Sequence, residues 1–204
     1  LRHSVETLIS AGADPLVIAI PPNGERAARH ALAGLTGFTL VVGGETRQLS
    51  VARALEEVGE ADRILIHDAA RPHLPVEVID RLLSALENTE GAIPVLPVVD
   101  SLSIDTEGMM AGSAQREQLR RVQTPQAFRY RHILEAHRAW DGETDAGDDA
   151  QVLRAAGGEV AHVQGDERLA KLTFAEDFMK VAPAIRTGMG FDVHRLAEGE
   201  ELWL

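Results

Sequence analysis

The chain alternates short apolar runs with stretches that carry apolar residues at helical spacing. Residues 16–20, Leu-Val-Ile-Ala-Ile, form a run stopped by Pro21-Pro22-Asn23-Gly24, the pattern of a strand leaving a sheet. Residues 25–35 predict a helix. Residues 38–42 predict a second strand, closed by Gly43-Gly44. Val51, Leu55 and Val58 share one face of a helix over 50–58. Residues 64–66 predict a third strand, 75–86 a helix and 92–99 a strand. Strands separated by helices imply an α/β fold: a doubly wound, mostly parallel sheet with right-handed crossovers.

The rhythm breaks after Asp100. Residues 101–105, a turn at Glu107-Gly108 and the chain from Ala114 onward predict a short antiparallel arm. A helix over 130–140, a polar loop over 141–147 and a helix over 148–156, stopped by Gly157-Gly158, follow. A strand over 160–163 and a helix over 174–181 come last. Residues 183–187 read as a boundary. One domain is expected over 1–184, and 185–204 as the start of a second, α+β domain. So short a tail buries no core alone. The natural chain is therefore expected to be longer at its end, and also at its start, since Leu1-Arg2-His3 reads like the inside of a domain.

Composition narrows the function. There is no cysteine, which excludes disulfides and thiolate metal sites and permits a reducing compartment, here expected to be the cytoplasm. No apolar run reaches membrane-spanning length and no signal peptide is present, so no membrane partner is expected. The formal net charge of -12 argues against a broad nucleic-acid surface. Arg116, Arg120, Arg121, Arg129 and Arg131 nevertheless cluster in sequence. They fit either a small anionic substrate or a solvated helix face and loop.

The candidate chemistry sits at the carboxyl end of the third strand, in His67-Asp68-Ala69-Ala70-Arg71-Pro72. Open α/β sheets bind ligands there. Asp68 and Arg71 supply an acid and a base, Ala69 and Ala70 admit a ligand to the backbone, and Pro72 steers the chain away. The same residues also fit a solvated acid/base pair at a strand end.

Taken in order, Gly43-Gly44, Ser50, His67-Asp68-Ala69-Ala70-Arg71-Pro72 and Thr124-Pro125-Gln126 resemble 2-C-methyl-D-erythritol 4-phosphate cytidylyltransferase. The likeness runs from Leu1 to about Ala184. Gly190-Phe191-Asp192-Val193-His194-Arg195 resembles the opening of 2-C-methyl-D-erythritol 2,4-cyclodiphosphate synthase. Together they resemble the bifunctional fusion of these non-mevalonate isoprenoid enzymes.

The resemblance implies a Rossmann-like nucleotidyltransferase fold and transfer of a cytidylyl group from CTP, with Mg²⁺, to methylerythritol phosphate. It implies that Gly44 and Ser50 recognise cytosine, Asp68 binds ligand hydroxyls, Arg71 grips a phosphate and Lys171 lies near the transferred phosphate. It places Ser113, on the arm, at the substrate. It implies a divalent metal, zinc, on Asp192 and His194. It also implies a homo-oligomer, dimeric through the arm and trimeric through the completed second domain. Three departures stand out. Leu169-Ala170 replaces the usual Asn-Ile before the lysine, and Gly147 replaces the usual Thr before Asp148-Asp149. The family's first strand and glycine-rich triphosphate loop would precede Leu1. Two other readings are a related enzyme, such as ribitol phosphate cytidylyltransferase, and a non-catalytic nucleotide-binding module.

Overall fold

The computed structural model describes residues 1–140 and 146–177. In chain order these form α1 (Arg2–Ser10), β1 (Leu16–Ile20), α2 (Glu25–Ala31), β2 (Phe38–Val42), α3 (Arg47–Val58), β3 (Arg63–Ile66), α4 (Val76–Ala85) and β4 (Gly91–Pro97). Next come β5 (Ser103–Thr106), β6 (Met109–Ser113), β7 (Arg120–Val122), β8 (Gln126–Arg129), α5 (Tyr130–Ala139), α6 (Asp149–Ala155) and β9 (Val160–Gln164). The chain divides into two compact units, Leu1–Lys171 and Leu172–Leu204. The expected boundary near 184 and the last residues of the expected helix over 174–181 lie outside the described residues, as do Asp192 and His194.

Strand β4 is the axis of the main sheet. Parallel β9 lines one edge, from Gly91↔Val160 to Val95↔Gln164. Antiparallel β8 and then β7 share the other, at Gly91↔Phe128 and Val95↔Val122. Strand β3 pairs antiparallel with β8, Ile64 opposite Phe128. Strands β1 and β2 form a separate parallel pair. The α/β architecture is the expected one, and β8 adds an antiparallel strand the hydrophobic pattern did not announce. Only four residues long, it carries Gln126 and Arg129 beside Ala127 and Phe128, too short and too polar to show a period.

Helix α1 was likewise not predicted. It buries Ser4, Val5 and Leu8 on one face and has no side-chain cap at its start. Helix α2 ends at Ala31 rather than at 35, where Ala33-Gly34 supplies a poor helix former. The arm is an antiparallel hairpin as expected, but its second strand is Met109–Ser113 rather than the chain from Ala114 onward. Its turn holds both Glu107 (φ 53°) and Gly108 (φ 81°) in the left-handed region, as a primed turn requires.

The core lies against the sheet on helical stripes. Helix α4 buries Val78, Ile79 and Leu82, and α5 buries Tyr130, Ile133, Ala136 and His137. The Tyr130 hydroxyl donates to the Leu55 carbonyl at 2.8 Å, satisfying a buried polar group and fixing α5 against α3.

Candidate functional site

The strand end at Asp68 is held by residues from three distant stretches, around 47, 124 and 169–171. Its backbone N–H donates to the Thr124 hydroxyl at 3.0 Å. Thr124 also lies 3.3 Å from His67 Nδ1, while His67 Nε2 lies 3.0 Å from the Arg71 carbonyl. One tautomer satisfies all three contacts: Thr124 donates to Nδ1, and Nε2–H donates to the carbonyl. Burial depresses the His67 pKa and keeps the ring neutral, outweighing the raising effects of the Arg71 carbonyl and the Asp68 charge.

The Asp68 carboxylate receives two cations. Arg47 Nε donates to Oδ1 at 3.0 Å, and Lys171 Nζ donates to Oδ2 at 3.1 Å. Burial alone would raise the Asp68 pKa. The adjacent Arg47 and Lys171 charges outweigh it and hold the carboxyl below its ordinary range. Arg71 stands on the same loop. One of its terminal nitrogens donates to the Leu169 carbonyl at 2.6 Å, which ties the loop to the stretch leading to Lys171. Its Nε is buried without a hydrogen-bond partner. Burial lowers the Arg71 pKa, with Asp68 opposing and Arg47 adding to the effect.

Gly43 and Gly44 sit where β2 runs into α3. A Cβ on Gly43 would lie 2.5 Å from Ser50 Oγ, and one on Gly44 would lie against the Leu49 Cβ. Both glycines are thus required by close packing, whatever binds there. Thr46 caps α3 by accepting from Leu49 N–H at 3.1 Å. Ser50, one turn inside the helix, accepts from Gly44 N–H at 3.1 Å and donates to the Thr46 carbonyl at 2.9 Å. Its hydroxyl fixes the shape of the glycine loop.

A cavity of about 450 Å³ runs between β1 and β3 and is bordered by Arg47, Ser50, His67 and Asp68. The structure therefore brings Ser50, Asp68, Arg71 and Lys171 to one end of the sheet, with Gly44 beside them. Ser113 is exposed on the arm, paired with Ser103, and does not line this cavity. Gly147 N–H is 3.3 Å from the Gln151 side chain, and Asp148 caps α6 by accepting from Gln151 N–H.

The pattern did not single out Arg47, Thr124, His137 or Asp149 as site residues. Asp149 is fully buried, and its Oδ2 forms an ion pair with Arg47 at 2.8 Å. His137 Nε2 lies 3.3 Å from its Oδ1. Two adjacent acids at a helix start would have been the only cue, and surface helices show the same thing. Among the described residues, no group of three His, Asp or Glu side chains is arranged to hold a metal, and no helix is long and apolar enough to cross a membrane.

Residues 1–187 match the family model of 2-C-methyl-D-erythritol 4-phosphate cytidylyltransferase. The chain is 60% identical over 206 residues to the bifunctional enzyme IspD/IspF of Erythrobacter litoralis, covering 100% of this chain and 53% of that protein. A second bifunctional enzyme IspD/IspF, from Novosphingobium aromaticivorans, is 60% identical over 210 residues, covering 100% and 54%. The crystal structure of 2-C-methyl-D-erythritol 4-phosphate cytidylyltransferase from Thermus thermophilus is similar at 34% identity and a TM-score of 0.76, over 87% of this chain and 84% of that one. The bifunctional IspDF of Campylobacter jejuni matches with 26% identity and a TM-score of 0.74, over 87% of this chain and 45% of that one. The chain spans about half the length of the curated relatives it matches.

Proposed function

Because the chain belongs to the 2-C-methyl-D-erythritol 4-phosphate cytidylyltransferase family, we propose that it carries most of the site at which a cytidylyl group passes from CTP to 2-C-methyl-D-erythritol 4-phosphate. The observation that carries the reading is the convergence of Arg47 and Lys171 on the single carboxylate of Asp68, with Arg71 close by on the same loop. Three cations against two acids, Asp68 and the Asp149 that pairs with Arg47, leave a local positive site in a chain of net charge -12. That suits two phosphorylated substrates whose charges repel.

In the proposed step a phosphate oxygen of the substrate forms a bond to the α-phosphorus of CTP. The bond to the β-bridging oxygen breaks, and pyrophosphate leaves with that electron pair. The protein's contribution is placement and charge neutralisation. Lys171 uses one donor on Asp68 and keeps two for phosphate oxygens. Arg71 offers a phosphate the guanidinium donors it does not spend on the Leu169 carbonyl. Asp68, kept ionised, accepts from ligand hydroxyls. Gly44 and Ser50 are assigned to the cytosine, the serine acting through the loop it shapes. Mg²⁺ is assigned to the CTP triphosphate, which supplies the oxygen ligands this ion prefers.

The cavity between β1 and β3 is where we place the strand and phosphate-binding loop expected ahead of Leu1. Among the described residues each of these strands pairs on one side only. The arm is assigned to a homodimer. It exposes Ile104 at 51% and Met109 and Met110 at 73% each, apolar surface that the other described residues do not cover. Ser113 would then reach the substrate of a second protomer. Asp192 and His194 are assigned to a zinc site of a following domain that closes the cytidylated, phosphorylated product to the 2,4-cyclodiphosphate and releases CMP. A cytoplasmic location fits all of this.

The test is pyrophosphate release by the full-length protein supplied with CTP, Mg²⁺ and either 2-C-methyl-D-erythritol 4-phosphate or ribitol 5-phosphate. Turnover with the first supports the reading. Turnover confined to the second, or none with either, overturns it.

A further inference from the structure

We propose that Arg47 is a positioning residue: anchored from behind by buried Asp149, it fixes the Asp68 carboxylate at the mouth of the site. The proposal rests on the function above only for what Asp68 does once it is held.

The side chains form a line from core to surface, with charge alternating from Asp149 outward. His137 Nε2 is 3.3 Å from Asp149 Oδ1, and Asp149 Oδ2 is 2.8 Å from Arg47 Nη2. Arg47 Nε is 3.0 Å from Asp68 Oδ1, and Asp68 Oδ2 is 3.1 Å from Lys171 Nζ. Asp149 is 0% exposed, and neither of its oxygens makes a hydrogen bond of good angle. A buried carboxylate in that condition is costly unless a charge stands beside it. Arg47 supplies that charge, with Asp149 the leading influence keeping the guanidinium protonated against its own burial. The arginine is therefore committed to the core by one nitrogen and to Asp68 by another. A planar fork can serve two acids in this way, while a lysine ammonium is a single point.

The anchor is also rigid. Asp149 lies in the first turn of α6, capped by Asp148. The Ala150 N–H beside it donates to Gln126 Oε1 of β8 at 3.1 Å. Support of this kind keeps a carboxylate in one geometry through a reaction cycle. Around Asp68, the facing charged or titratable groups are Arg47 from α3, Lys171, neighbouring His67, and Arg71 from the same loop, with Asp149 and His137 beyond Arg47. Lys171 is about half exposed, and Arg71 spends a nitrogen on Leu169. Arg47 is the partner whose removal most changes the carboxylate's surroundings.

The experiment compares full-length wild type with Arg47→Lys and with a double variant, Arg47→Met plus Asp149→Asn. The double variant removes both members of the Arg47–Asp149 pair and so avoids leaving the buried carboxylate without its partner. Folding is checked by circular dichroism. The Asp68 carboxyl is titrated by carbon-13 NMR, and kcat/KM for cytidylyl transfer is followed against pH. In the double variant, Asp68 should titrate at higher pH than in wild type. The acid limb of the rate profile should move with it, and kcat/KM should fall about 10- to 100-fold. Arg47→Lys should give shifts of the same sign and smaller size. Wild-type titration of Asp68 in the folded double variant overturns the proposal, and so does an unmoved acid limb. A wild-type protein that transfers no cytidylyl group overturns the proposed function alone, and the carboxyl titration still decides the role of Arg47.

Discussion

The Asp68 loop and the β5–β6 arm both leave the same sheet, and they are built in opposite ways. Polar contacts from distant parts of the chain shape the Asp68 loop: Arg47, Thr124, Lys171 and the Leu169 carbonyl. Ser4 adds a long contact to the Arg71 carbonyl. Among the described residues the arm's two strands pair only with each other, and its side chains are exposed along almost the whole hairpin. One excursion is locked before any ligand arrives. The other presents Ile104, Met109 and Met110 to whatever covers them. A locked loop suits charge placement at a reacting phosphorus, because preorganised groups need no rearrangement during the reaction. An uncovered apolar hairpin suits association, because its surface leaves water only against a second chain.

The largest effect that would sharpen this contrast lies in the loop. Arg71→Ala removes a cation and also cuts the tie to Leu169 that leads to Lys171. We expect kcat/KM for cytidylyl transfer by the full-length protein to fall about 10²- to 10³-fold, the usual loss for one preorganised donor. Circular dichroism should stay at wild type. A wild-type rate would show that the loop's internal bonds are not what places the substrates.

A medium effect would break the contrast from the arm's side. Ile104→Asp combined with Met109→Asp puts two charges on the exposed hairpin. The mass of the full-length protein in sedimentation should fall, because one class of contact is lost. Stability to denaturant should change by only about 0.5 kcal/mol, as for other exposed substitutions. An unchanged mass would mean that the apolar face does not join protomers.

The sequence disclosed these two regions unequally, for physical reasons. The arm was legible because a Glu-Gly turn between short polar-flanked strands is a local signal. The Asp68 loop was legible as a motif at a strand end, yet its support was not. Arg47 reaches Asp68 across 21 residues, and Asp149 reaches Arg47 across about a hundred. No periodicity encodes such pairs. Strand β8 hid for a related reason: its place between β3 and β4 is set by pairing with distant residues, and buried Gln126 accepts from the distant Ala150 N–H. Ser50 was read as a helix start, but Thr46 holds the cap and Ser50 shapes the glycine loop instead. The helix over 130–140 was clear because Tyr130, Ile133, Ala136 and His137 repeat on one face.

The smallest effect is a pH dependence that belongs to the loop and not to the arm. His67 has a folded pKa below that of a free imidazole, chiefly from burial. A proton on Nδ1 would also lose the hydroxyl it accepts from Thr124. Above about pH 6.5, where a free imidazole is neutral, the folded and unfolded chains agree and His67 has no effect. As pH falls below that value the unfolded chain takes up a proton that the folded chain resists, so stability drops. The drop continues until the pH passes the folded pKa. Asp68 acts later and for the complementary reason. Its lowered folded pKa gives stability that is complete above about pH 4 and is lost as pH falls through the folded value. Urea unfolding at about pH 7 and about pH 5 therefore separates the His67 contribution from that of Asp68. Wild type should be less stable at the lower pH. His67→Asn should reduce the difference, at about 1.4 kcal/mol for each unit by which the folded and unfolded pKa values differ. Thr106→Ala, on the exposed arm, should leave the difference at its wild-type size. Equal losses in wild type and His67→Asn would mean that the ring is not held neutral by the fold.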